Sequence, residues 1–213
     1  IAFGGLRPLA ADEQDEPAKV LPTENEEYQL PEGGAEELTK FIEKLQGVRP
    51  RSVRQLQTLQ GRIVEAADKI LDDEAAGEEA ELQAVQAKFQ SLSLLQRYGD
   101  ESAAEKIEQL RQALKDDPRP AMQREFVFLD FASRYDAART PSGDSLELLD
   151  DVLAYLEQGE LDQRLFGVFR GIVRTVEYSG EIEKAVGAFQ KLAAAAAQSD
   201  IKSIADYAPK LEG

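Results

Sequence analysis

The sequence predicts an all-α protein, an array of antiparallel helical hairpins with the geometry of an α-solenoid or of a bundle. Its 213 residues are 42% hydrophobic and 31% charged, rich in Ala, Leu, Glu and Gln, and poor in β-branched clusters. From Ala35 onward, apolar residues recur every three or four positions, and Gly and Pro interrupt the pattern. We therefore expect about eight or nine helices joined by short turns.

The helical domain is expected to span residues 33–213, because residues 1–32 lack this periodicity. Small residues precede an abrupt acidic stretch, and Leu9 and Ala11 have the character of signal-peptide cleavage-site residues. The same residues also fit an ordinary apolar terminus, since no charged segment precedes them. Residues 1–32 are thus predicted to combine the remnant of a secretory signal peptide with an acidic tail.

The acidic part of this tail, residues 12–32, is expected to be a disordered linker. It contains eight acidic residues and one base, Lys19, and few apolar residues accompany them. Such a composition cannot bury enough surface to offset the entropy of ordering, and three prolines interrupt any helix. A solvated spacer is one interpretation, and an acidic segment that attracts a basic partner is the other.

Local start and stop signals divide the first half of the domain into four helices. Ser52 is expected to cap the second helix, and Ser102 with Glu105 has the Ser-x-x-Glu spacing of a capping box at the start of the fourth. Glycines and prolines mark the ends of these segments. The four helices are predicted at about residues 35–46, 52–71, 78–98 and 102–114.

The second half is predicted to contain five helices, of which the fifth is apolar on almost all sides and should lie centrally. Asp130 and Arg134 are four residues apart on this helix and are expected to form a structural ion pair. Gly167 and Gly171 share one face of the seventh helix and should allow another helix to approach closely. The predicted helices are at about residues 122–139, 145–157, 162–178, 182–197 and 201–211, the last with a break at Pro209.

No catalytic, cofactor-binding or metal site is predicted. The chain has neither cysteine nor histidine, so thiol nucleophiles, imidazole bases, disulfides and the commonest zinc ligands are absent. Serine has no base partner of a known motif, and no glycine-rich phosphate loop is present. Five acidic residues lie close together between the second and third predicted helices, but they lack the ligand spacing of a calcium loop and are interpreted as a solvated turn. They are Asp72, Asp73, Glu74, Glu78 and Glu79.

The net charge of -16 disfavours nucleic acid as a partner, because phosphate recognition needs a cationic face. No apolar run reaches the roughly 18 to 20 residues that span a bilayer, so no membrane span is predicted.

Three segments resemble the helical region that precedes the thioredoxin domain in exported TlpA-like redoxin proteins of planctomycete-type bacteria. These segments are residues 28–45, 64–70 and 204–213, the last reading Ile-Ala-Asp-Tyr-Ala-Pro-Lys-Leu-Glu-Gly. The resemblance extends over most of residues 28–213. It implies an extracytoplasmic, periplasmic or secreted location, and a thioredoxin domain with a Cys-x-x-Cys pair beyond Gly213.

These observations predict a non-catalytic interaction domain that positions an adjacent redoxin domain or binds a protein partner. The alternative is a free-standing helical-repeat scaffold that binds protein or peptide. A third hypothesis, a hydrolase that uses a pair of carboxylates in a helical groove, would require a buried acid with a raised pKa. The sequence leaves the oligomeric state and the partner's identity open.

Overall fold

The computed structural model describes residues 28–138, 145–157 and 159–211, and this part of the chain contains helices and no strand. The all-α prediction is confirmed. The predicted signal remnant and most of the acidic tail, residues 1–27, lie outside the described residues. The helices are α1 Ala35–Gln46, α2 Val53–Leu71, α3 Glu78–Arg97, α4 Ser102–Lys115, α5 Pro120–Ala138, α6 Ser145–Leu156, α7 Gln163–Tyr178, α8 Ile182–Ala197 and α9 Lys202–Ala205, followed by a 3₁₀ helix, Ala208–Lys210.

The helices pack as successive hairpins in which the odd-numbered helices form a continuous layer. Each helix contacts the next along the chain, and α1, α3, α5 and α7 each contact the next odd-numbered helix. Among the even-numbered helices only α6 and α8 make comparable contact. The odd-numbered layer is therefore the more closely packed of the two.

The apolar core is divided into clusters that α5 connects. One cluster joins α1, α2 and α3, and a second joins α2, α3, α4 and α5. A third cluster joins α5 to α6, α7, α8 and the C-terminal segment. The central position predicted for the fifth helix is therefore confirmed, and its apolar residues face two different clusters.

Tyr28 belongs to the first cluster, although the sequence predicts that residues 1–32 form the tail. Its side chain is 3% exposed, and its hydroxyl accepts a hydrogen bond of 3.0 Å from Nε2 of Gln55. Tyr28 is apolar over most of its surface, so its burial stabilises the packing of the preceding chain on α2. The helical unit therefore includes residues that precede the first helix.

Two helix starts test the capping signals in the sequence. The Ser52 hydroxyl accepts a 3.1 Å hydrogen bond from the Gln55 amide, which confirms the predicted cap of α2. The prediction of a capping box between Ser102 and Glu105 is wrong. A carboxylate oxygen of Asp100 instead accepts hydrogen bonds from the Ser102 amide and hydroxyl, and these bonds lower the pKa of Asp100 below its usual value.

The predicted ninth helix is shorter than its apolar pattern indicated. Helix α9 ends at Ala205, and Ala208–Lys210 forms a separate 3₁₀ helix that includes Pro209. Proline lacks an amide proton and clashes with the preceding helical turn, so a continuous helix through residue 209 is disfavoured. The same residue type has the opposite effect in α5, which begins at Pro120, because the first helical amide needs no intrahelical partner.

The two glycines of α7 occupy different environments, which confirms only half of the prediction made for them. A Cβ at Gly171 would lie 2.6 Å from the hydroxyl oxygen of Tyr135 on α5, so this glycine permits a close approach. A Cβ at Gly167 would meet no atom within 4 Å. The close crossing therefore depends on Gly171 alone.

We expect Gly167→Ala to stabilise the protein by about 0.5–1 kcal/mol, because alanine favours the helix and the site is open. We expect Gly171→Ala to destabilise it by about 1 kcal/mol, because displacement of the Tyr135 ring outweighs the same helical gain. Urea denaturation of the two variants measures this difference. Equal stabilisation by both substitutions would show that Tyr135 moves aside at no cost.

Candidate interaction surfaces

One buried carboxylate connects three odd-numbered helices. Glu125 of α5 is 4% exposed, and its Oε1 accepts a 2.9 Å hydrogen bond from Nε2 of Gln86 on α3. The same oxygen pairs with the guanidinium of Arg164 on α7, whose Cζ lies 4.2 Å from the centre of the Phe128 ring. A buried carboxylate matched in this way by an arginine and an amide is a structural element of the packing.

A second polar network connects α4, α5 and α6. The predicted pair between Asp130 and Arg134 is present at 3.4 Å, but Asp130 binds Arg111 of α4 more closely, at 2.6 Å. Arg134 in turn binds Asp151 of α6 at 2.5 Å. The expected local pair is thus one link in an interhelical chain.

Arg111 extends this network to Glu108 on its own helix. Both carboxylate oxygens of Glu108 accept hydrogen bonds from Arg111, at 2.7 and 2.8 Å. These bonds, together with one from Gln112, lower the pKa of Glu108 to about 2. Glu108 is therefore ionised throughout the range in which exposed glutamates ordinarily titrate.

The acidic turn between α2 and α3 does not gather its carboxylates around one point. Asp73 accepts a 3.0 Å hydrogen bond from the Ala75 amide, as in an Asx turn. Across the described ranges, no group of three or more acidic side chains is arranged to hold a metal ion.

Open grooves lie between several of the helices. One, of about 840 Å³, separates α1 from the start of α3, and its rim includes Glu36, Glu43, Asp73 and Glu79. A smaller groove of about 200 Å³ lies between the same helices and is lined by four glutamine side chains, those of Gln46, Gln83, Gln86 and Gln90. Amide side chains can both donate to and accept from a peptide backbone.

The other large groove, of about 810 Å³, lies among α3, α4 and α5. Its wall combines apolar residues such as Phe89 and Ile107 with Glu108 and Asp136.

An exposed apolar surface lies where α7 ends and α8 begins. Tyr178 is 81% exposed, Ile182 is 61% exposed and Val186 is 50% exposed. Ile182 and Val186 are four residues apart and therefore share one helical face, and Tyr178 precedes Ile182 across a tight turn. We call these three residues the α8 apolar surface.

Sequence reasoning identified neither the role of Glu125 nor the α8 apolar surface. A signal for Glu125 exists, because Met122, Glu125 and Leu129 are buried at helical spacing and the glutamate takes a position on an apolar stripe. A signal for the surface also exists: α8 has apolar residues at 182 and 186 in addition to its buried stripe of Ala185, Ala188 and Leu192.

None of the helices in the described ranges has both the length and the hydropathy to cross a bilayer. Comparisons with protein-family models, with curated proteins and with solved structures find no match for this chain.

Proposed function

We propose that this chain is the non-catalytic helical interaction domain of an exported thiol-disulfide protein of the TlpA-like type. In this proposal it lies outside the cytoplasm and positions an adjacent redoxin domain or binds a protein partner. The α8 apolar surface is the observation that carries the proposal. The resemblance of three segments to the TlpA-associated helical region supports a redoxin domain as the adjacent domain.

The α8 apolar surface has the composition of a protein contact. Large apolar side chains scattered singly on a surface need no explanation, but three exposed within one short stretch of chain, from Tyr178 to Val186, mark a place where another surface packs. A tyrosine with two aliphatic neighbours is typical of the centre of such contacts, because the ring buries a large area at a small cost in side-chain entropy.

The polar groups support recognition as the function of this chain alone. The buried carboxylate of Glu125 is matched by Arg164 and Gln86, and Asp130 is matched by two arginines. A carboxylate that catalyses hydrolysis needs a second titratable group beside it and access to substrate. The described environments of these two acids provide arginines instead.

The first test is the reading frame downstream of Gly213, where the proposal expects a thioredoxin-type Cys-x-x-Cys sequence. The second is hydrogen exchange of residues 178–187 in the longest natural chain and in residues 1–213. We expect slower exchange in the longer chain, and we expect Ile182→Ser with Val186→Ser to abolish the difference. Val53→Ser, at a residue of similar exposure, is the matched control.

A stop codon directly after Gly213 would contradict the redoxin proposal. Equal exchange of residues 178–187 in both chains would contradict the assignment of the contact to the α8 apolar surface.

The smaller groove between α1 and α3 favours a second candidate function, that of a free-standing scaffold for an extended peptide. Three of its glutamines, Gln46, Gln83 and Gln90, present donors and acceptors that a peptide backbone can satisfy, whereas Gln86 is bonded to Glu125. This alternative predicts that residues 1–213 bind a partner peptide without any appended domain, and that Gln83→Ala with Gln90→Ala weakens this binding. Unchanged affinity in that double variant would exclude the groove as the binding site.

A further inference from the structure

A basic patch lies beside the point where the acidic tail joins the helical domain. Arg49, Arg51 and Arg54 fall within six residues of sequence at the start of α2, and all three are exposed. Among the described residues, no carboxylate forms an ion pair with any of these guanidinium groups. By contrast, six other arginines each pair with a carboxylate: Arg62, Arg97, Arg111, Arg119, Arg134 and Arg164.

The basic patch, defined by Arg49, Arg51 and Arg54, also contains apolar surface. Val53 lies between two of the arginines and is 52% exposed. Tyr98 is 45% exposed, and its backbone oxygen accepts a 3.2 Å hydrogen bond from Gln57, one helical turn beyond Val53. The patch therefore offers positive charge together with two apolar contacts.

A hydrogen-bonded connection holds the end of the acidic tail beside this patch. Gln55 accepts a 2.7 Å hydrogen bond from the Arg51 amide and donates a 3.0 Å hydrogen bond to the Tyr28 hydroxyl. Tyr28 is itself 3% exposed and belongs to the core cluster of α1, α2 and α3. Residue 28 therefore stays next to Arg51 for as long as this hairpin is folded.

The residues that precede Tyr28 carry the opposite charge. Residues 12–27 contain seven acids and one lysine, and three of the acids, Glu24, Glu26 and Glu27, fall within four residues of Tyr28. An extended chain spans about 3.3 Å per residue, so the backbone of these three residues stays within about 13 Å of Tyr28. Val20 and Leu21 lie farther back along the sequence.

We propose that the acidic segment, residues 12–27, binds the basic patch of its own chain. The tether makes this an intramolecular event, with an effective concentration on the order of millimolar for a short flexible connection. Several weak ion pairs then suffice where a free peptide would not bind. The bound segment competes with any other anionic ligand for the patch. This inference is independent of the proposed redoxin neighbour.

The absence of cysteine makes the test simple, because Gln14→Cys, fourteen residues before the anchored Tyr28, creates a single site for a nitroxide label in the full chain. We expect the label to reduce the amide NMR signals of residues 51–55 to less than about half of their intensity at about 20 mM salt. At about 500 mM salt, where the screening length falls to roughly 4 Å, we expect the signals to recover.

Charge reversal identifies the partner residues. Arg49→Glu with Arg51→Glu and Arg54→Glu should abolish the broadening, and adding Glu24→Lys, Glu26→Lys and Glu27→Lys should restore it. Acidic residues near the start of α2 are compatible with its helix dipole, so these variants should remain folded, as circular dichroism would verify. The matched control reverses three exposed bases elsewhere, with Lys115→Glu, Arg174→Glu and Lys191→Glu, and should leave the broadening unchanged.

The proposal is overturned by undiminished signals at low salt, or by broadening that survives reversal of the patch. It is also overturned if the label broadens a different surface. A mixture of nitroxide-labelled chains with isotopically enriched, unlabelled chains tests whether the label of a second copy causes the broadening. Broadening in that mixture would show that the contact is intermolecular and would overturn the intramolecular proposal.

Discussion

Phe169→Ala is expected to lower the free energy of unfolding by about 3–5 kcal/mol, the largest effect of any substitution considered for this chain. Phe169 of α7 is completely buried. Its ring centroid lies 4.8 Å from that of Phe131 on α5 and 5.6 Å from that of Tyr155 on α6, and both contacts are edge to face. Truncation leaves a cavity where three helices meet.

Denaturation by guanidinium chloride measures this loss. Tyr178→Ala removes an aromatic ring from the same helix at a position that is 81% exposed, and should change stability by less than about 0.5 kcal/mol. If the two variants were equally stable, Phe169 would not be a central element of the C-terminal core.

Glu125→Ala is expected to destabilise the protein by about 3 kcal/mol, because it leaves the Arg164 guanidinium without its carboxylate and Gln86 without its acceptor. Much of this loss comes from the partners that remain. A double variant, Glu125→Ala with Arg164→Ala, should therefore cost less than the sum of the two single substitutions. Thermodynamic cycles from urea unfolding measure the coupling.

Glu105→Ala is the matched control for this cycle. Glu105 is an exposed glutamate on α4 whose only described side-chain hydrogen bond is with Gln109 on the same helix. Its removal should change stability by less than about 0.5 kcal/mol. Additive losses for Glu125 and Arg164 would show that the two side chains do not act as a pair.

The positions of the helices follow from local chemistry, which is why the sequence predicts them well. Ser52 provides a cap for α2. Gly99 and Gly180 end α3 and α7 with φ values of 89° and 94°, which favour glycine. Each signal acts within a few residues, so no knowledge of the tertiary fold is needed. The error at Ser102 arose because Asp100, two residues upstream, competes for the same amide.

The polar connections between helices could not be predicted in the same way. Gln86 and Arg164 each lie 39 residues from Glu125, on opposite sides along the chain. Their meeting depends on which face of α5 each neighbouring helix covers, and helix periodicity does not specify neighbours. Similarly, the spacing of Asp130 and Arg134 predicted their local pair but gave no indication of Arg111 or Asp151.

The difference between the two layers of helices has a mechanical consequence. The odd-numbered helices form an unbroken spine, whereas α2, α4 and α6 do not support one another directly. A movement that changes the distances between α2, α4 and α6 disturbs few interhelical contacts. A movement that separates the odd-numbered helices disturbs many. We therefore expect the layer of odd-numbered helices to resist deformation more strongly than the layer of even-numbered helices.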